Sequence, residues 1–302
     1  MQNRPGMATN PTRGVAALLG LAVLGAGLAL AGPVAAEEPA GKAASGLAHY
    51  PLKDPEQESW SFAGFFGRYD TAQLQRGFQV YKEVCANCHS LRLVAFRNLG
   101  QAGGPHFTAD EVKALAAGYK ITDGPNDAGD MFERPGKASD RLPSPFANEQ
   151  AAAAANGGAA PPDLSLMAKA RGVERGPLFT VLDFFTQYQE GGVDYIHALL
   201  TGFQDPPAGV TIPENTHYNP YFVSAPSLAM PPPLTDGQVT YTDGSPQTVD
   251  QYARDVAAFL MWAAEPHLME RKRIGFEVLI FLVVFAGLMY LTKKKVWAAV
   301  AH

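Results

Sequence analysis

The only two cysteines in this 302-residue chain lie in the run Cys85-Ala86-Asn87-Cys88-His89. That C-x-x-C-H spacing is the signature of covalent haem c attachment. Two thiols three residues apart on one helical turn can each form a thioether to a haem vinyl group, and the adjacent imidazole then falls beneath the iron. A haem held this way constrains the rest of the chain, because apolar walls must enclose it and nearby elements must supply its ligands. C-x-x-C alone is shared with thioredoxin-like redox pairs and with half of a zinc site. A zinc site needs a second Cys/Cys or His/His pair at short spacing, and His49, His106, His197, His217, His267 and His302 stand apart. A thioredoxin-type motif follows a strand, whereas residues 71–84 lead into Cys85 with apolar residues at helical spacing. Electron carriage is therefore the expected role.

The two ends of the chain place that chemistry. Residues 1–36 read as a secretory signal: Arg4 and Arg13 precede an apolar run over 15–31, and Val34-Ala35-Ala36 stands before Glu37. Haem c attachment occurs outside the cytoplasm, so the export signal and the haem motif agree. At the other end, residues 274–292 form a run of 19 whose only charge is Glu277, bracketed by Arg271-Lys272-Arg273 and Lys293-Lys294-Lys295. That length suits one membrane-spanning helix. Glu277 sits in its first turn, where Arg273 at i, i+4 can pair with it. The expected organisation is a signal at 1–36, a periplasmic haem c domain at 37–270, and an anchor with a short cytoplasmic tail at 271–302. The protein would be a single-pass protein of the inner (cytoplasmic) membrane.

Between Glu37 and Glu270 there are 16 basic and 28 acidic residues, a net charge of −12. This excludes nucleic acid as a partner and predicts a basic one, steered electrostatically and released quickly. Helical patterns occur at 71–88, at 108–117 with Thr108-x-x-Glu111 as a capping box, and at 178–187, 192–201 and 248–262. Between them lie stretches rich in Pro and Gly, including 119–142, 151–162 and 203–234. A short β pairing is expected around Val239-Thr-Tyr-Thr242 with Asp243-Gly244 as its turn. The fold class is mainly α: a cytochrome c-like haem domain with long irregular loops and minor β, plus one C-terminal transmembrane helix.

An electron-transfer haem needs a second axial ligand, and a Met/His pair raises the potential. Met1 and Met7 belong to the signal, Met289 to the span, and Met261 and Met269 to the helix leading into it. Met131, Met167 and Met230 remain. Met230 is followed by Pro231-Pro232-Pro233, which can hold a thioether rigidly, and is favoured; His217 is the competitor in a bis-histidine arrangement. Arg171 and Lys169 are candidates to answer the haem propionates, and Tyr195 and Asn156 can donate hydrogen bonds.

Taken together, Arg76-Gly-Phe-Gln-Val-Tyr-Lys-Glu-Val-Cys85 with C-A-N-C-H-S, Asp123-Gly-Pro-Asn126, Met131-Phe-Glu-Arg-Pro-Gly-Lys137, Pro161-Pro-Asp-Leu-Ser165, Leu199-Leu-Thr-Gly202, Tyr218-Asn-Pro-Tyr221, Ala229-Met-Pro-Pro232 and Phe259-Leu-Met-Trp-Ala-Ala-Glu-Pro266 resemble the cytochrome c1 family. The resemblance covers essentially the whole mature chain. It implies the haem subunit of the cytochrome bc1 complex, ubiquinol:cytochrome c oxidoreductase, with no independent substrate chemistry in this chain. It makes Cys85 and Cys88 the thioether sites, His89 and Met230 the iron ligands and Arg171 the propionate partner. Asn156, Pro162 and Tyr195 fall where the family lines its haem pocket. The implied partners are cytochrome b, the Rieske iron–sulfur protein and a basic soluble cytochrome c, in a dimeric complex. Two features depart from parts of the family. Residues 172–190 are an insertion relative to the mitochondrial form, resembling those of bacterial members. The disulfide that braces some bacterial heads is absent, since no cysteine remains to form one.

Overall fold

The structure is a computed structural model that describes residues 52–171 and 190–298. The signal segment, the helical pattern at 178–187 and nearly all of the insertion lie outside those residues.

Helix α1 (Thr71–Glu83) begins where the Asp70 carboxylate accepts the Gln73 N–H at 3.1 Å, a side-chain cap for an otherwise unpaired first-turn donor. Its buried stripe is Leu74, Gly77, Phe78, Val80 and Tyr81. Helix α2 (Ala109–Ala117) has the expected capping box: Glu111 N–H donates to Thr108 Oγ1, and the Thr108 N–H donates to Glu111 Oε2 at 2.8 Å. The alanine run forms α3 (Glu149–Ala155), capped by Asn148, whose side chain accepts the Ala151 N–H at 2.8 Å. There the high helix propensity of alanine prevails over the flanking Gly and Pro that suggested a loop. Then come α4 (Met167–Ala170), α5 (Gly191–Thr201), α6 (Val249–Ala264) and α7 (Leu268–Trp297).

Helix α6 is the hub. Almost every residue from Tyr252 to Ala263 is buried, and it packs against α1, α4 and α5. Contact with α1 is close because position 77 is glycine: a Cβ there would overlap the Asp255 carbonyl oxygen and lie 2.7 Å from the Phe259 Cβ. Phe78 meets Phe259 edge-on with ring centroids 5.6 Å apart. Beside this contact Arg76 Nε lies 2.9 Å from Asp255, whose side chain is fully buried, and its other arm reaches Asp243 at 2.8 Å. Such a pair is costly to break from one side, since the remaining charge stays buried alone.

The strands differ from expectation. Residues 239–242 form no strand; instead the Tyr252 hydroxyl donates to the Val239 carbonyl at 2.5 Å and accepts the Val239 N–H at 3.2 Å. One side chain thus satisfies the backbone groups that a β-ladder would have paired. The strands that do form are β1 (Lys120–Asp123) with β2 (Phe132–Pro135), and β3 (His217–Tyr218) with β4 (Ser227–Leu228), both antiparallel. Arg134 on β2 holds the first hairpin by pairing with Asp123 and Asp140.

Helix α7 is a continuous rod of 30 residues whose apolar window has a mean hydropathy of 2.4 and no buried share. At ~1.5 Å per residue its apolar stretch is about as long as a bilayer's ~30 Å hydrocarbon core is thick. The helix fits a single-pass membrane anchor. Arg273 Nε lies 3.7 Å from Glu277, the i, i+4 pair expected at its edge. The head is mostly helical with a minor sheet, and one long apolar helix leaves it.

Candidate haem-attachment site

Helix α1 stops at Val84, and the chain tightens into a 3-10 turn over Cys85–Asn87. The Cys85 carbonyl accepts both the Cys88 N–H at 3.1 Å and the His89 N–H at 2.8 Å. Asn87 folds back so that its amide donates to the carbonyls of Glu83 and Val84, each at 3.2 Å, satisfying the last turn of α1. This local chemistry places the two thiols on one tight turn. Cys85 packs against the core while Cys88 is exposed. Burial pushes the Cys85 thiol up to about 12, so it is protonated at neutral pH. That is a poor state for a redox nucleophile or a zinc ligand, and among the described residues no cluster of three His, Cys, Asp or Glu could hold a metal.

His89 is held by its neighbours. Its Nδ1 lies 2.8 Å from the Pro162 carbonyl oxygen, which can only accept, so Nδ1 carries the hydrogen and Nε2 keeps its lone pair. Burial lowers the imidazole pKa despite that bond, favouring the neutral ring that an iron requires. The Tyr81 hydroxyl donates to the His89 carbonyl at 3.2 Å. Beyond His89 the chain zips onto the Pro-Pro-Asp segment: Ser90 Oγ donates to Asp163 at 2.7 Å, the Arg92 N–H to the same carboxylate at 2.9 Å, and the Leu164 N–H to the Ser90 carbonyl at 2.9 Å. Burial would raise the Asp163 carboxyl, but the bonds from Ser165, Arg92 and Ser90 hold it below the usual carboxylate range.

The structure therefore joins Cys85, Cys88, His89 and Pro162 into one bonded group, with Pro162 contributing its carbonyl. Tyr195 is 3% exposed. Burial raises its pKa, opposed by a hydrogen bond from the Val223 backbone and by the charge of Arg171; these contacts tie α5 to the segment approaching β4. Arg171 is exposed at the C-cap of α4. Met230 lies half-buried two residues beyond β4, and Asn156 caps α3, its amide donating to the Ala152 carbonyl at 2.7 Å. Both lie outside the bonded group. Of the other methionines weighed as ligands, Met131 is 61% exposed and Met167 packs against the core. Lys169 pairs with Glu265 at 2.6 Å. His217 pairs through its backbone with Leu228, on the strand that leads to Met230.

Asp163 and Tyr81 join the site only through the fold, by their bonds to Ser90 and to the His89 carbonyl. A signal for Asp163 was present, because an Asp two residues before Ser165 is an Asx-turn pattern, and the Ser165 N–H does donate to its side chain at 3.0 Å. The donor set as a whole fits a covalently attached haem. It offers two thiols on one turn and a neutral imidazole oriented through its far nitrogen.

Residues 60–300 match the Cytochrome C1 family. The chain is 63% identical over 245 residues to a protein named "Cytochrome b/c1" from Bradyrhizobium diazoefficiens, covering 81% of this chain but 36% of that relative, so it spans about a third of that protein's length. It is 53% identical over 247 residues to "Cytochrome c1" of Blastochloris viridis, covering 82% of this chain and 87% of the relative. To "Cytochrome c1-2, heme protein, mitochondrial" of Solanum tuberosum it is 51% identical over 218 residues, 72% of this chain and 75% of that one. A C-x-x-C-H turn on a mostly helical head, a long apolar tail helix and a match over most of the chain converge: this chain belongs to the cytochrome C1 family and is a haem-bearing electron-transfer protein with covalently bound haem c.

Proposed function

We propose that this chain is the haem subunit of a ubiquinol:cytochrome c oxidoreductase of the bc1 type, accepting one electron from a Rieske iron–sulfur protein and passing it to a basic soluble cytochrome c. Cys85 and Cys88 hold the haem by thioethers, and His89 and Met230 are its axial ligands. Arg171, with Tyr195, Asn156 and Pro162, lines its pocket. The observation that carries the reading is the His89 Nδ1 to Pro162 carbonyl bond beside the cysteine turn, which leaves Nε2 as the ligand atom. When bound, the haem supplies reversible one-electron chemistry. The protein's own residues do the rest: His89 is kept neutral and fixed in orientation, and the Asp163 bonds hold its loop.

No bond to a substrate forms at this subunit, so quinol oxidation and its proton chemistry belong to partner subunits, principally cytochrome b. The exported head stands in the periplasm, residues 37–270, with α7 as its anchor and the tail in the cytoplasm. The net charge of −12 on residues 37–270 supports a basic acceptor, and the complex is read as a dimer.

A haem-stained denaturing gel of the purified membrane complex tests attachment and assembly together. Haem should remain on this chain, and a cytochrome b and a Rieske protein should accompany it; purification without them refutes the assignment to this complex. Replacing Met230 with Leu should lower the reduction potential sharply and open the iron to carbon monoxide. An unchanged potential and spectrum would rule out Met230 as the ligand.

A further inference from the structure

We propose that the loop over residues 61–68 is a membrane-interface foot, seating Phe65 and Phe66 in the boundary between lipid headgroups and acyl chains and so setting how the head stands on the bilayer. The proposal rests on α7 being the membrane span.

The loop is short and closed. The Arg68 N–H donates to the Ser61 carbonyl at 2.9 Å, and the Ala63 N–H to the Trp60 carbonyl at 3.1 Å. Its stem is fixed by Phe62 and Tyr69, both buried with ring centroids 5.1 Å apart. With the stem held, the tip points outward: Phe65 is 49% exposed and Phe66 is 76% exposed. Two adjacent large aromatic side chains on a braced loop are an unusual load for a water-facing surface, and such a patch marks a contact site.

The neighbouring residues identify the contact. The Phe66 ring lies edge-on to Phe276, centroids 5.5 Å apart. Lys272 on α7 donates to the carbonyls of Phe62 and Gly64 at 2.6 and 2.5 Å, clasping the loop to the helix. Phe276 is the third residue of the apolar run over 274–292, only about 3 Å along the helix axis from its start. Phe66 is therefore level with the first turn of the span, the headgroup–acyl boundary in which interfacial segments bury Trp, Phe and Leu side chains. Exposed Arg68 and Arg273 flank the contact and can meet lipid phosphates. A bilayer that covers exposed Ile274 and Phe276 reaches Phe66, because Phe66 packs on the same surface of α7. That continuity favours lipid over a protein partner. The loop and the Lys272 clasp give the head a second point of contact, where a lone helix would leave it free to tilt.

The test uses the full chain with haem attached, so that Cys85 and Cys88 are consumed, in phospholipid nanodiscs. A nitroxide is placed at Phe66→Cys, with Ile280→Cys in the span and Asp130→Cys on the head as references. Collisions with oxygen and with a water-soluble nickel chelate are then compared. The expected result is a loss of nickel accessibility at position 66 relative to position 130, with oxygen access approaching that at position 280. A label at 66 that behaves like the one at 130, while 280 reports lipid, overturns the foot and leaves the anchor standing. An aqueous label at 280 overturns the anchor and the foot with it. Loss of access to both reagents in the assembled complex means that a protein covers the loop, and the lipid assignment fails. Phe65→Cys is the second variant, with the same readout; both side chains are exposed, so neither substitution opens the core.

Discussion

Gly77→Ala adds one methyl group to α1 at the point where it crosses α6. Its carbon would overlap the Asp255 carbonyl oxygen and lie 2.7 Å from the Phe259 Cβ and 2.8 Å from the Asp255 carbonyl carbon. Ordinary carbon contacts sit near 3.5–4 Å, so the two helices would have to part by roughly 1 Å. None of these atoms can swing aside, since they are backbone or the root of a fully buried ring. Parting the helices also stretches the Arg76–Asp255 pair, whose carboxylate has no exposure, and loosens the Phe78–Phe259 contact. Alanine's helix propensity opposes the loss with about 0.8–1.0 kcal/mol. Overpacking of this kind costs about 1–3 kcal/mol or more, and backbone overlap beside a buried ion pair belongs at or above the upper end, for a net loss of ~2 kcal/mol. At roughly 2–4 °C per kcal/mol for a domain of this size, Tm should fall by about 4–8 °C. Thermal unfolding of the haem-loaded chain, followed by circular dichroism, measures it. Gly275→Ala is the control, because its Cβ would meet nothing within 4 Å; it should leave Tm unchanged or slightly raised. A Gly77→Ala protein melting at or above the parent temperature would refute the claim that glycine sets this crossing.

Tyr252→Phe removes the hydroxyl that serves both backbone groups of Val239, neither of which is open to solvent. With two buried groups left unpaired the loss should reach about 2–4 kcal/mol, read from denaturant midpoints; a loss within error of zero would mean that water replaces the hydroxyl. Asp163→Asn weakens the bonds that hold the His89 loop and should cost about 1–2 kcal/mol at neutral pH, discounted for the partial exposure of the site. Because the folded carboxyl is held below its unfolded value of about 3.9, its stabilisation is present above roughly pH 4 and is lost as pH falls through the folded value. The gap between parent and variant should therefore close in acid, and a gap that stays constant across that range would show that Asp163 acts by shape alone.

The candidate turn and several helix ends were legible because their determinants are local. The C-x-x-C-H spacing needs only one turn, and Thr108 with Glu111 needs only one helix end. The apolar run ending in lysines needs only length to read as a span. The strand expected at 239–242 failed because local β propensity competed with a tyrosine hydroxyl from 13 residues away, which no periodicity reveals. The alanine run forms α3 because its helix formers are contiguous, whereas the Gly and Pro that favour a loop only flank it.

The sequence by itself determined the cofactor, a C-x-x-C-H turn suited to carry it and an apolar helix long enough to span a bilayer, each written in contiguous residues whose chemistry operates over a few ångströms. The tertiary structure alone decided which nitrogen of His89 keeps its lone pair, because that depends on the Pro162 carbonyl brought to 2.8 Å across 73 residues of chain. It also decided that Gly77 serves close packing and that Phe66 meets Phe276. Such contacts form only when the core has closed, and burial then fixes the direction of each donor, acceptor and ring.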